Sequence, residues 1–233
     1  MARRIKSLLG LGVYSIPEAA RLTHVSSGRI KRGLEGYQFK SRSQLHSSPP
    51  LFQHEIDADD LSLSFRDLLE VRFVDAFRRH GVGWKAIRVA AHHASEIIDD
   101  SHPFSTKRFK TDGRSIFAEI MHETGEPGLL DLVKSQWEFK SVVEPFLFEG
   151  IEFSKAGIEP VRWWPLGQNR LVVIDPARSF GQPIISPESV PTKVLAKAVK
   201  AEGSIDAVAR WYLVPSKAVE DAVAFEKQLA SAA

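Results

Sequence analysis

The sequence predicts an α+β protein with three parts: a winged helix-turn-helix, a small antiparallel sheet, and a helical C-terminal end that is again helix-turn-helix-like. Three observations predict it. Residues 14–36, YSIPEAARLTHVSSGRIKRGLEG, read as two short helices across a tight turn. The last third sets two short apolar strands before three helical stretches. The charge is also uneven: residues 1–50 hold nine Lys/Arg against two Glu, a balance of +7, while the other 183 residues, with 22 Lys/Arg and 27 Asp/Glu, come to −5. A basic end on an acidic body places any polyanion contact at the N-terminus.

At 233 residues, 43% hydrophobic and 26% charged, the chain fits one large or two modest globular domains. Cysteine is absent, which excludes disulfides, a thiolate zinc site and a cysteine nucleophile. No apolar run reaches membrane-spanning length. The opening MARRIKSLLGLGVY lacks the apolar core and cleavage site of a signal peptide, so it reads as a strand or arm. The expected location is cytoplasmic, with no membrane partner.

In the first helix, Pro17 suits the first helical position and Ser15 or Ile16 leads in, with Ile16, Ala19, Ala20 and Leu22 on one apolar face. Thr23-His24-Val25 forms the turn, and Ser26 or Ser27 caps the second helix by accepting an orphan N–H. Ile30 and Leu34 face inward there, leaving Arg29, Lys31 and Arg32 outside. A recognition helix needs this arrangement, with small polar residues near base edges and cations toward phosphates. The bland alternative is a helical hairpin with a solvated basic face. Tyr37 and Phe39 then alternate with Lys40 and Arg42 in a first wing strand, Ser47-Ser48-Pro49-Pro50 reads as a loop, and Leu51-Phe52 begins the return strand.

Asp57–Asp60 is an acidic turn suited to cap a helix over Leu61–His80, whose Phe65, Leu68, Leu69, Phe73, Val74 and Phe77 recur at helical spacing. That wide stripe is also a candidate dimer surface. After Gly81-Val82-Gly83, a second helix runs over Trp84–Ile98. Asp99–Pro103 reads as a linker, and Thr106–Ile120 as a hairpin around an Asp-Gly turn. Leu129–Gln136 is helix or strand, Trp137–Phe153 is partly extended, and Asn169–Ile174 is a strand. Further strands at Leu171–Ile174 and Ile184-Ile185 precede a helix over Val190–Ala201 with Val194, Leu195, Ala198 and Val199 inward. Ser204 caps the next helix, Ser204–Trp211. A turn at Tyr212–Val214 leads to Lys217–Leu229. The expected division is 1–100 for the DNA-binding domain, 101–170 for a β-rich linking region and 171–233 for the C-terminal helical domain.

The C-terminal stretches VVIDPARSFGQPIIS and EGSIDAVARWYLVPSKAVEDAVAFE carry Ile174-Asp175-Pro176, Gly181-Gln182-Pro183-Ile184, Gly203-Ser204, Val208-Ala209 and Ala218–Ala222. On these motifs the end of the chain resembles a domain family of VapB-like antitoxins from type II toxin–antitoxin systems. The N-terminal half looks like the MerR-type winged helix-turn-helix that some members carry. The chain departs from the family where Phe180 replaces the first of two glycines and Ser186-Pro187-Glu188 stands for Gly-Thr-Arg. The resemblance implies a cognate toxin similar to PIN-domain ribonucleases, neutralised by this chain, and repression of its own operon through operator DNA.

The expected DNA-contacting residues are therefore Ser26, Ser27, Arg29, Lys31, Arg32, Lys40 and Arg42. For the toxin, an arginine suits an acidic, Mg²⁺-holding active site because it pairs bidentately with carboxylates. Arg162 and Arg178, in loops flanking the Trp163-Trp164 strand region, are the candidates, with the bland reading of ordinary surface arginines. Trp163 and Trp164 are either a buried pair in the sheet or aromatic anchors for a partner, with one of them expected in the core. Palindromic operator DNA calls for a homodimer or higher homo-oligomer.

No catalytic, cofactor or metal motif is present. His92 and His93 are helix neighbours pointing about 100° apart and cannot serve one metal. His122-Glu123 and the aspartate clusters at 57–60 and 99–100 read as surface and turn residues. The expectation is a non-enzyme. The alternatives are a stand-alone MerR-like regulator whose C-terminal domain senses a ligand or protein, and a structural adaptor that never meets DNA.

Overall fold

The computed structural model describes residues 8–41, 44–51, 55–56, 61–79, 81–125, 148–155 and 158–231. The expected Asp57–Asp60 turn, Arg42, His80, Leu129–Gln136 and most of Trp137–Phe153 lie outside these residues. Within them the fold is mixed helix and sheet, as the pattern predicts.

Strand β1 (Tyr14–Ser15) leads into α1 (Ile16–Thr23) and α2 (Ser27–Glu35). Ser15 Oγ accepts the Glu18 N–H at 3.4 Å, and Glu18 Oε2 accepts the Ser15 N–H at 2.9 Å. This reciprocal box satisfies two otherwise orphaned donors and starts α1. Ser26 occupies the cap position of α2, but its side chain makes no capping bond. Its carbonyl instead accepts the Arg29 and Ile30 N–H groups.

Where the wing is expected, β2 (Tyr37–Ser41) pairs antiparallel with β3 (Gln44–Ser48), Tyr37 opposite Ser48. Ser47 and Ser48 thus belong to the return strand, not to a loop, and Leu51 does not begin it. Close backbone approach explains the difference. Gly36 has φ 74, and a Cβ there would lie 2.1 Å from the Ser48 carbonyl oxygen. Leu51 instead donates its N–H to the Gly33 carbonyl and is buried.

Strand β4 (Ser62–Leu63) pairs with β1, so α3 (Phe65–Arg79) begins later than expected. Its cap is a second reciprocal box: Ser64 Oγ accepts the Asp67 N–H at 3.0 Å, and Asp67 Oδ2 accepts the Ser64 N–H at 2.8 Å. Nearly every face of α3 is buried, including Leu68, Leu69, Val71, Phe73, Val74, Ala76 and Phe77. A helix apolar on most sides is a central one. The stripe expected as a dimer surface is therefore interior to the chain.

Helix α4 (Trp84–Ile98) has the expected bounds. The segment after it is a packed corner and not a free linker: His102 is fully buried, and a short 3₁₀ turn covers Pro103–Ser105. The hairpin expected over Thr106–Ile120 is instead helix α5 (Lys107–Thr124). Phe109, Gly113, Ile116, Phe117 and Ile120 fall on one buried face, and Thr106 Oγ1 caps the helix by accepting the Phe109 N–H at 3.1 Å. Phe77, Phe104, Phe109 and Phe117 meet edge to face with centroids 5.1–6.5 Å apart. Burying that aromatic face outweighs the cost of Gly113 in a helix interior, about 1 kcal/mol relative to Ala.

A five-stranded antiparallel sheet follows in sequential order: β5 (Ile151–Phe153), β6 (Pro160–Trp163), β7 (Val172–Ile174), β8 (Pro183–Ile185) and β9 (Val190–Pro191). It draws β5 and β6 from before residue 170 and β7–β9 from after it. Strand β7 is shorter than the expected Asn169–Ile174, because Leu171 gives its N–H to the Asp221 carboxylate at 3.0 Å. Helices α6 (Thr192–Glu202), α7 (Ile205–Tyr212) and α8 (Ser216–Ser231) close the fold. Val194, expected inward, is exposed, since Thr192 and Leu195 take the buried face of α6. One hydrophobic core runs from Tyr14 through α3 to Leu229.

Candidate nucleic-acid interface

Helix α2 is anchored by Ile30 and Leu34, both almost fully buried, and by Gly33, whose carbonyl binds Leu51. Fixing that face leaves Ser26, Ser27, Gly28, Arg29, Lys31 and Arg32 exposed on the other. Between α1 and α2, His24 adopts the left-handed conformation (φ 58), and Val25 drops into the core. Burial, then the charges of Arg79 and Arg72, hold the His24 imidazole below its usual pKa. The turn therefore sits in a positive field.

The six predicted residues that are described do not all behave alike. Lys31, Arg32 and, on β2, Lys40 extend into solvent. Arg29 is half-exposed but its Nη1 lies 2.9 Å from Oδ1 of Asp75 on α3. Sequence reading missed Asp75 and also Arg79, whose Nε meets Asp75 Oδ2 at 2.5 Å. The consecutive Arg78-Arg79 at the end of α3 was the available signal.

Behind this surface, a buried polar network fastens α3 to the corner before α5. His102 Nε2 lies 2.7 Å from Asp67 Oδ1, and Glu70 Oε1 accepts the Ser105 N–H at 2.9 Å. Burial pushes the Glu70 carboxyl up to about 7 against the pull of His102 and Arg66. For His102, burial alone would lower the pKa; the Asp67 hydrogen bond and the Glu70 charge outweigh it and raise the imidazole above its usual value. Both side chains are sealed from solvent, so they position helices and do not meet a substrate.

The four residues expected to meet a toxin lie on and beside the sheet; Arg162, expected in a loop, is part of β6, where it pairs with Glu152 of β5. Arg162 donates through Nε to Asp175 Oδ2 at 2.9 Å and lies 3.3 Å from Glu152; the Asp175 bond raises its pKa. Arg178 donates to Ser189 and to the Pro187 carbonyl, holding the loop after β8. Trp163 is the core member of the aromatic pair, its ring covered by the Arg72 guanidinium at 4.1 Å. Trp164 is half-buried and directs its indole N–H toward Glu152 at 3.4 Å.

The helix pair is tied to this C-terminal half. Tyr14 Oη donates to the Gly181 carbonyl at 2.8 Å, and the Val13 N–H donates to the Phe180 carbonyl at 3.0 Å. Burial and the Asp175 charge raise the Tyr14 hydroxyl far above its usual pKa, so it remains a donor. Arg21 on α1 adds an ion pair to Glu226 on α8 at 3.5 Å. The Gly-Gln-Pro motif thus doubles as a clasp on the N-terminal pair.

Among the described residues, no helix is long and apolar enough to cross a membrane, and no three His, Asp or Glu side chains form a metal-holding group. No protein-family model matches the chain. It is similar to the Mycobacterium tuberculosis protein named "Putative antitoxin VapB45", 24% identical over 222 residues that cover 91% of this chain and 92% of that protein. The crystal structure of Rv2018 from Mycobacterium tuberculosis shares the fold, with a TM-score of 0.69 and 24% identity over 90% of this chain and 96% of that one.

Proposed function

We propose that this chain is an antitoxin: a protein without enzymatic activity that neutralises a PIN-like ribonuclease toxin and represses its own operon by binding operator DNA. The observation that carries the reading is α2, whose apolar side is locked in the core while Ser26, Ser27, Lys31 and Arg32 stand free. Similarity in sequence to a protein named as an antitoxin, across nine-tenths of both chains, supports the toxin half. The work divides along the chain. Residues 1–100 meet DNA, residues 171–233 together with Arg162 and Trp164 on and beside the same sheet meet the protein partner, and the rest of 101–170 joins them. A homodimer matches the symmetry of a palindromic operator.

Co-expression with the reading frame adjacent to the gene tests this. The neighbour alone should stop growth, and the two together should allow growth and co-elute. A harmless neighbour that does not co-elute removes the toxin.

One observation favours the second reading, a ligand-responsive MerR-like regulator. A cleft of about 860 Å³ opens between the end of the β2–β3 hairpin and α4, lined by Pro49, Leu51, Arg88, His92 and Ser101. That reading requires a small molecule whose binding changes DNA affinity.

A further inference from the structure

The carboxylate of Asp75 is almost fully buried on α3, yet it holds two guanidinium groups that are each about half-exposed. Arg29 of α2 takes Oδ1 and Arg79 of α3 takes Oδ2, with side-chain exposures of 53% each against 6% for Asp75. Two cations on one anion leave the cluster at +1. Each guanidinium carries five N–H donors, and the bond to Asp75 uses one from each. Both side chains stay about half-exposed, Arg29 on α2 itself and Arg79 joined to it through the shared carboxylate. The adjacent Arg78 differs: it donates to the Val82 carbonyl at 2.6 Å and lies 5.1 Å over the Trp84 ring, so it packs. Arg79 also acts on His24, which places it at the turn of the helix pair.

We infer that Arg79 joins Arg29 in a two-guanidinium clamp for a DNA backbone phosphate, with Asp75 as the positioning residue that sets both forks. This deepens the DNA-binding reading and rests on it. Phosphodiester oxygens match guanidinium forks, and side chains already held by a buried carboxylate lose little freedom on binding. Phosphate contacts of this kind fix the register of the reading helix on the duplex.

The test is the salt dependence of binding by the full-length protein to a short random-sequence duplex and to a duplex from upstream of the gene. Arg29→Gln with Arg79→Gln should make the slope of log K against log salt shallower by about 1, for the one phosphate that the clamp holds, and Arg79→Gln alone should already make it measurably shallower. Lys197→Gln, a remote exposed cation on α6, should leave it unchanged. Asp75→Asn should keep the slope but lower the preference for the upstream over the random duplex; an unchanged preference removes Asp75 from the positioning role. Both glutamine variants alter half-exposed side chains, and unchanged melting curves confirm their fold. Normal binding by the wild-type chain with an unchanged slope in Arg79→Gln overturns the clamp and leaves DNA binding standing. A wild-type chain that binds neither duplex overturns both.

Discussion

Helices α1 and α7 each run eight residues from a serine cap, turn through a left-handed residue and a buried valine, and hand over to a helix that starts on serine. An offset of 189 residues carries Ser15 onto Ser204, His24 onto Leu213, Val25 onto Val214 and Ile30 onto Val219. The caps match too, since Ser204 Oγ accepts the Ala207 N–H as Ser15 Oγ accepts that of Glu18. The surfaces do not match. Lys31 and Arg32 fall where Glu220 and Asp221 stand in the C-terminal pair. Asp221 is buried and pairs with Arg170 at 3.0 Å and Lys217 at 3.3 Å, so it serves the fold. Leu22 is covered, whereas its counterpart Trp211 is 62% exposed beside Leu213 at 86%. One backbone plan thus presents cations in one place and an uncovered aromatic edge in the other. Shape alone does not distinguish the two pairs; charge and cover do.

The largest expected effect comes from erasing that difference. Lys31→Glu with Arg32→Asp gives the N-terminal pair the charges of its counterpart. DNA affinity should fall on the order of 10²-fold or more near 0.1 M salt, as two phosphate contacts are lost. Affinity within threefold of wild type in an electrophoretic shift titration would show that α2 is not the reading helix. Next, Trp211→Ala should weaken capture of the neighbouring gene product by about 2 kcal/mol, the cost of a buried aromatic anchor, with DNA binding unchanged. Equal weakening of both activities in pull-down and shift assays would show that the two pairs do not divide the work.

A smaller effect should follow from loosening the clasp between the pairs. Gly181 has φ 81, and a Cβ there would lie 2.2 Å from Tyr14 Oη. Gly181→Ala should therefore lower stability by about 1–2 kcal/mol from the left-handed backbone alone, read by urea unfolding. The smallest concerns pH. The folded-state pKa of Glu70 is raised from 4.5 to about 7, so the folded state holds that proton where the unfolded state has lost it. Its contribution to stability is full below pH 4.5 and fades as pH rises to 7. Glu70→Gln should flatten the pH dependence of the melting temperature across that window, and an unaltered profile would place the titration elsewhere.

Local chemistry made the helix pairs legible. Ser15 before Pro17, the periodicity of Trp84–Ile98 and the Gly203-Ser204 break are near-neighbour signals, and the elements they announce were found close to where the pattern put them. The misread stretches are those where a local signal competes with burial. Asp112-Gly113 reads as a turn, yet Phe109 and Phe117 on either side belong to one aromatic face that only helix α5 can bury. The register of β2 on β3 depended on Gly36 touching Ser48, an approach that strand alternation does not encode.

By itself, the sequence determined the α+β class, the two helix-turn-helix spacings and the basic N-terminal end, because propensity, capping and charge act within a few residues. Only the tertiary structure decided that Arg29 shares Asp75 with Arg79 across 46 residues of chain, and that Tyr14 closes on Gly181 across 167. Such contacts are selected by packing a whole core, and no window of sequence contains both partners.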